Sequence, residues 1–103
     1  MSVLLEFAMF PTDKGESVSN YVSRIIEYID KSGYSYQLTP MGTIVETATI
    51  DEALEVVKQS YLKLEPDCNR IYSSLKFDIR KNSENCLEHK IKSIEDKIGK
   101  VKK

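Results

Sequence analysis

The chain has 103 residues, of which 41% are hydrophobic and 30% charged, with a formal net charge of −1. That length is expected to form a single domain over residues 1–103, with one modest core and a reason to bury more surface by self-association. The near-neutral, interspersed charge argues against nucleic acid as a partner, because neutralising phosphates takes a basic surplus on one face.

No apolar run approaches the roughly 20 residues that span a bilayer. No basic-then-apolar leader opens the chain, so a cytoplasmic protein with no membrane partner is the expectation. Cys68 and Cys86 share no CxxC spacing, and His89 is the lone histidine, so free thiols are expected and no metal site.

From Val3 to Phe10 every residue is apolar except Glu6, which reads as a strand ended by Pro11. The polar loop Thr12-Asp13-Lys14-Gly15-Glu16 follows, and Ser17 is placed to cap a helix. In that helix Val18, Tyr21, Val22, Ile25, Ile26 and Ile29 recur at helical spacing, and Gly33 stops it. Two strands come next, Tyr34 to Thr39 and the β-branched run Thr43 to Thr49, joined by a turn at Pro40-Met41-Gly42. A second helix starts near Asp51, with Leu54, Val57, Tyr61 and Leu64 expected on its buried face; Pro66 to Asn69 breaks it. The strand Ile71 to Ile79 alternates, with Ile71, Leu75, Phe77 and Ile79 apolar and Tyr72, Ser74, Lys76, Asp78 and Arg80 amphipathic or charged. A third helix follows, with Asn85 and Glu88 spaced as a capping box and Leu87, Ile91, Ile94, Ile98 and Val101 along a heptad-like seam.

Right-handed crossovers turn this β-α-β-β-α-β order into an α+β, ferredoxin-like antiparallel sheet of order 4-1-3-2, with two helices on one face and an added C-terminal helix. Val3, Leu5, Phe7 and Met9 would face the helices. Leu4, Glu6, Ala8 and Phe10 would then share the open face with Lys76 and Asp78, where Glu6 and Lys76 can pair across strands. That mixture is too apolar for a wet surface and too polar for a dry core. It suits a face covered by another subunit that leaves polar pockets. Which face of its strand carries Glu46 is left open by the alternation.

The loop at Gly15 lacks the glycine pattern of a phosphate cradle, and no GxSxG elbow or paired Cys and His is present. Glu6, Glu46 and Asp78 show no spacing that demands acid–base work, so no enzyme and no catalytic residue is expected.

Phe10-Pro11 closes the first strand and Gly15-Glu16-Ser17-Val18-Ser19 opens the first helix. Tyr36-Gln37-Leu38, then Pro40-Met41-Gly42-Thr43 with Glu46, and Lys76-Phe77-Asp78-Ile79-Arg80 complete a pattern spread over nearly the whole chain. In these segments the sequence resembles the small thiamine-binding proteins of the YkoF-like superfamily. The resemblance implies a ferredoxin-like subunit that assembles into dimers and tetramers. It also implies non-catalytic binding of thiamine or its hydroxymethylpyrimidine moiety near the sheet face or a subunit interface, with no cofactor. The candidate ligand-binding residues are Glu6, Ser17, Ser19, Thr43, Glu46, Lys76 and Asp78, which fall in the matching segments. Phe10 or Tyr72 would supply a ring to stack on the pyrimidine. The alternative is a structural or protein-interaction module whose open face serves only oligomerisation.

Overall fold

A computed structural model describes residues 1–102. Strand β1 (Ser2–Pro11), helix α1 (Ser19–Ser32), strands β2 (Ser35–Thr39) and β3 (Gly42–Thr47), helix α2 (Ile50–Leu64), strand β4 (Ile71–Arg80) and helix α3 (Cys86–Ile98) follow in order. The strands form one antiparallel sheet, β2-β3-β1-β4, which is the ferredoxin-like arrangement the crossovers predict.

Strand β1 organises the molecule. Its period-2 set Val3, Leu5, Phe7 and Met9 is buried against Ile25 and Ile29 of α1 and Ala53, Val56 and Leu64 of α2. Strand β3 pairs Leu5 with Val45 and Phe7 with Thr43, so Thr43, Val45 and Thr47 turn to the helices and are buried. Ile44 and Glu46 therefore turn to the open face, which settles the orientation that alternation alone left undecided.

Three local expectations are corrected. Helix α1 is capped by Val18, not Ser17, and no side chain bonds its first turn. Val18 lies against an apolar crevice lined also by Val22, Ile26 and Leu38. Partial burial of a valine and a hydroxyl cap are each worth about 1 kcal/mol, so packing can set where the helix starts. In α2 the buried face is Ala53, Val56, Ser60 and Leu64, whereas Leu54 and Tyr61 are exposed. Two stripes of helical period lie side by side there, and the small Ala53 and Ser60 allow the closer approach to the sheet. At α3 the Asn85–Glu88 capping box does not form, because Asn85 takes a left-handed conformation (φ +54) and its side chain makes no cap bond. Glu46 caps that helix instead.

The remaining starts and stops follow the sequence. Thr49 and Glu52 form a reciprocal capping box on α2. Gly33 ends α1 at φ +85, a conformation that costs a residue with a Cβ about 1 kcal/mol or more. Cys68 and Cys86 are free and buried. No described helix is long and apolar enough to cross a membrane.

Candidate functional site

The open face of the sheet is roofed on one side by α3. Glu46, from the middle of the sheet, accepts hydrogen bonds from the backbone N–H groups of Cys86 (2.8 Å) and Leu87 (3.4 Å), and from the Ser2 hydroxyl (2.5 Å). A carboxylate there satisfies orphan donors of the first turn and meets the positive end of the helix dipole. It fixes where α3 begins. The helix then runs back over the sheet with Leu87 and Ile91 turned inward.

Between roof and sheet lies a pocket of about 430 Å³. Its floor is Leu4, Glu6, Gln37, Ile44, Lys76 and Asp78, and its roof is Leu87, Lys90 and Ile91. Glu6 and Lys76 are direct partners across β1 and β4, with Lys76 Nζ 3.6 Å from Glu6 Oε1. Both remain half-exposed or more, so the pair contributes at most about 1 kcal/mol to folding. The central carboxylate of β1 thus has a cationic neighbour, water and an adjoining cavity at once. Asp78, two residues along, bonds Lys90 of the roof and lies 3.8 Å from Arg80 Nε. The hydrogen bond from Lys90, with the nearby charges of Lys90 and Arg80, holds its carboxyl below the ordinary value.

The arrangement is that of a binding pocket with apolar walls and charges of both signs at one end. Among the described residues no cluster of His, Cys, Asp and Glu could hold a metal ion.

The predicted site residues divide between three places. Glu6, Lys76 and Asp78 come together in the pocket. Glu46 shares their face, but its oxygens are committed to the start of α3. Thr43 faces the opposite side, in an apolar crevice of about 320 Å³ between α1 and the β2–β3 turn. Ser17 and Ser19 are exposed where α1 begins, next to Val18 of that crevice. The Phe10 and Tyr72 rings, expected to stack on the pyrimidine, instead meet each other at a tilt of 43°, with centroids 5.8 Å apart. They sit four residues along the strands from Glu6 and Lys76, about 13 Å away, and neither lines the pocket. The sequence reading missed Lys90, Gln37 and Ile44. Lys90 precedes Ile91 of the heptad seam, and only the docking of α3 on the open face would have brought it into view.

With this geometry in place, comparison with known proteins assigns the family. The sequence model for the thiamine-binding protein family matches residues 5–95. The chain belongs to that family. Its relatives include a UPF0045 protein of Methanocaldococcus jannaschii, 39% identical over 92 residues, covering 89% of this chain and 91% of that one. Another UPF0045 protein, of Methanothermobacter thermautotrophicus, is 34% identical over 83 residues, 80% of this chain and 84% of that one. The crystal structure of the M. jannaschii protein superposes with a TM-score of 0.80 over 90% of this chain and 95% of its own. A Thermotoga maritima protein suggested to act in thiamine biosynthesis or salvage shares the fold, with a TM-score of 0.78 at 23% identity over 91% of this chain and 99% of that one. The family is named for binding a small molecule rather than for a reaction.

Proposed function

We propose that this chain is a non-catalytic binding protein for thiamine or its hydroxymethylpyrimidine moiety, held between the open sheet face and α3. The observation that carries the reading is a pocket of about 430 Å³ in which apolar walls meet the charges of Glu6, Lys76, Asp78 and Lys90, in the usual range of about 300–1,000 Å³ for small-molecule sites. An aminopyrimidine offers donors that a carboxylate accepts, and its flat ring suits the walls of Leu4, Ile44, Leu87 and Ile91. The cationic thiazolium of thiamine would lie where Glu6 and Asp78 offset the charge of Lys76 and Lys90. Ser17, Ser19 and Thr43 then belong to a separate surface, and Glu46 acts by holding the roof. Family membership supports the ligand class. Assembly into dimers or tetramers of a cytoplasmic protein completes the proposal, with further copies shielding the open face.

Calorimetric titration tests it. Thiamine or hydroxymethylpyrimidine should bind the native chain, and Glu6→Gln should weaken binding about tenfold or more, the loss expected of one charge-assisted hydrogen bond worth about 1.5–3 kcal/mol net. No heat and no thermal shift at millimolar ligand would refute the proposal.

A second reading, an interaction module without a ligand, is favoured by Ile94 and Ile98 of α3, which stand 52% and 73% exposed. It predicts that Glu6→Gln changes assembly or stability and no ligand affinity.

A further inference from the structure

Helix α3 borders a second cleft. Leu87 and Ile91 belong to the pocket described above, whereas the next flank of the helix presents His89 and Ser93 towards the end of β4, where a space of about 540 Å³ opens. Its polar lining is Arg80, Ser83, His89, Lys90 and Ser93. Helical spacing gathers three of these, since His89 and Lys90 lie four and three residues before Ser93, and Arg80 joins them as the final residue of β4. Acidic residues outnumber lysine and arginine in the chain by 16 to 15, yet no described carboxylate lines this cleft. Most of its donors are also unengaged. Arg80 Nε lies 3.8 Å from Asp78, too far for a hydrogen bond, and the side chains of Ser83, His89 and Ser93 bond no other described residue. Asp78 is the shared counter-ion of Arg80 and Lys90, so one negative charge faces two positive ones.

We propose that this cleft binds a phosphate group. Arg80 presents the planar fork that fits two phosphate oxygens, and Lys90 supplies a point charge beside it. Ser83, His89 and Ser93 add donors around a tetrahedral anion. The two oxygens and single charge of a carboxylate would leave several of these donors idle. A phosphate monoester brings three free oxygens and nearly two charges at neutral pH, which matches the cationic surplus. The group arrives either as free phosphate or as an ester of the molecule in the neighbouring pocket, because Lys90 lines both cavities.

Occupancy of the cleft reaches the pocket through Asp78, which lines the pocket while its two cations line the cleft. A phosphate competes with Asp78 for Arg80 and Lys90. A carboxylate relieved of its cations leaves the pocket more negative, so cationic thiamine binds more tightly while neutral hydroxymethylpyrimidine changes little. The coupling is reciprocal, as any linkage between two binding sites must be. This consequence rests on the function proposed above; the phosphate site itself does not.

Calorimetric titration of the full chain at neutral pH and fixed ionic strength tests the inference, with inorganic phosphate and the phosphate monoester of hydroxymethylpyrimidine as probes. Phosphate in one form or the other should bind at one equivalent per chain, with a dissociation constant of about 1 mM or tighter, while sodium chloride gives only dilution heat. Arg80→Gln removes the fork and Ser93→Asp places a carboxylate inside the cleft. Both positions are exposed, both variants should keep the native circular dichroism, and each should weaken phosphate binding about tenfold or more. An ester that binds more tightly than its parent alcohol, and loses only that gain in Ser93→Asp, assigns the phosphate to the ligand. Phosphate and parent alcohol binding together, with the ester no tighter than its parent, assigns the site to free phosphate. With phosphate saturating, thiamine should bind severalfold more tightly; equal affinity overturns the link through Asp78. Neither heat from phosphate nor a gain from the ester, or affinities unchanged in both variants, overturns the site. Phosphate that binds where hydroxymethylpyrimidine does not refutes only the ligand, and the reverse refutes only the phosphate site.

Discussion

Removing the carboxylate of Glu46 should loosen α3 from the sheet without unfolding the rest of the domain. Glu46→Ala deletes the acceptor for the Cys86 and Leu87 N–H groups and for the Ser2 hydroxyl. A lost N-cap costs about 0.5–2 kcal/mol, and the favourable meeting of a carboxylate with the helix N-terminus adds about 0.3–1 kcal/mol. A local penalty of about 2 kcal/mol is therefore expected, close to a thirtyfold rise in the undocked population. Cys86 reports it, since its thiol is buried at the start of α3 while Cys68 is buried in the main core. Pulsed alkylation resolved by peptide mass should show Cys86 labelling about thirtyfold faster in the variant, with Cys68 barely changed. Ligand affinity should fall in parallel, because Leu87, Lys90 and Ile91 supply the roof of the pocket. Equal acceleration at both cysteines would mean that Glu46 supports the whole fold; no acceleration at either would mean that α3 is held by its apolar side chains alone. Either result refutes the capping argument.

Two further outcomes follow from individual residues. Ser60 is fully buried on the sheet face of α2, and its hydroxyl has no hydrogen-bond partner among the described residues. Ser60→Ala should stabilise the chain by about 1 kcal/mol, raising the melting temperature by roughly 4–8 °C, as calorimetry would register; a lower melting temperature would mean the hydroxyl is satisfied. Asp78 titrates below its ordinary carboxyl value of 3.8 because Lys90 bonds it, so the folded state favours the charged form. Its contribution is complete above that unfolded value and disappears as the pH falls through the lower folded one. Asp78→Asn should therefore be less stable than the native chain at pH 6–7, with the gap closing below about pH 4 in paired urea titrations. A gap independent of pH would remove Lys90 as the cause.

The fold was legible because every strand and helix carries its own period, and because two crossovers of fixed hand admit one strand order. What alternation could not resolve was depth. In β4 the row Leu75, Phe77 and Ile79 has the same pattern as a core strand, yet the helices end before reaching it. In α2 the stripes 53-56-60-64 and 54-57-61 are both apolar enough to be buried, and side-chain size, a property of the approach between layers, chose the first. Helix starts failed for a related reason. A capping signal is read within a few residues of the helix, but the cap of α3 comes from Glu46, forty positions earlier in the chain.

The same distinction explains why the candidate site was half visible. Glu6, Lys76 and Asp78 share a face by strand parity and register, which two alternating strands declare on their own. Lys90, Leu87 and Ile91 join them only because Glu46 anchors α3 over that face, a long-range contact that no local period encodes. A carboxylate in the middle of an apolar strand is costly unless something nearby uses its charge. Here a cross-strand lysine holds Glu6 in place at modest gain, while the roof closes one side of the cavity next to it. If stability alone governed this position, an apolar side chain against Leu4 and Ile44 would serve better than an exposed pair worth at most about 1 kcal/mol. Replacing the pair together, as Glu6→Leu with Lys76→Leu, should therefore leave the fold as stable or more so in urea titrations while abolishing binding of a pyrimidine. A double variant that unfolds readily would assign the pair to the scaffold instead.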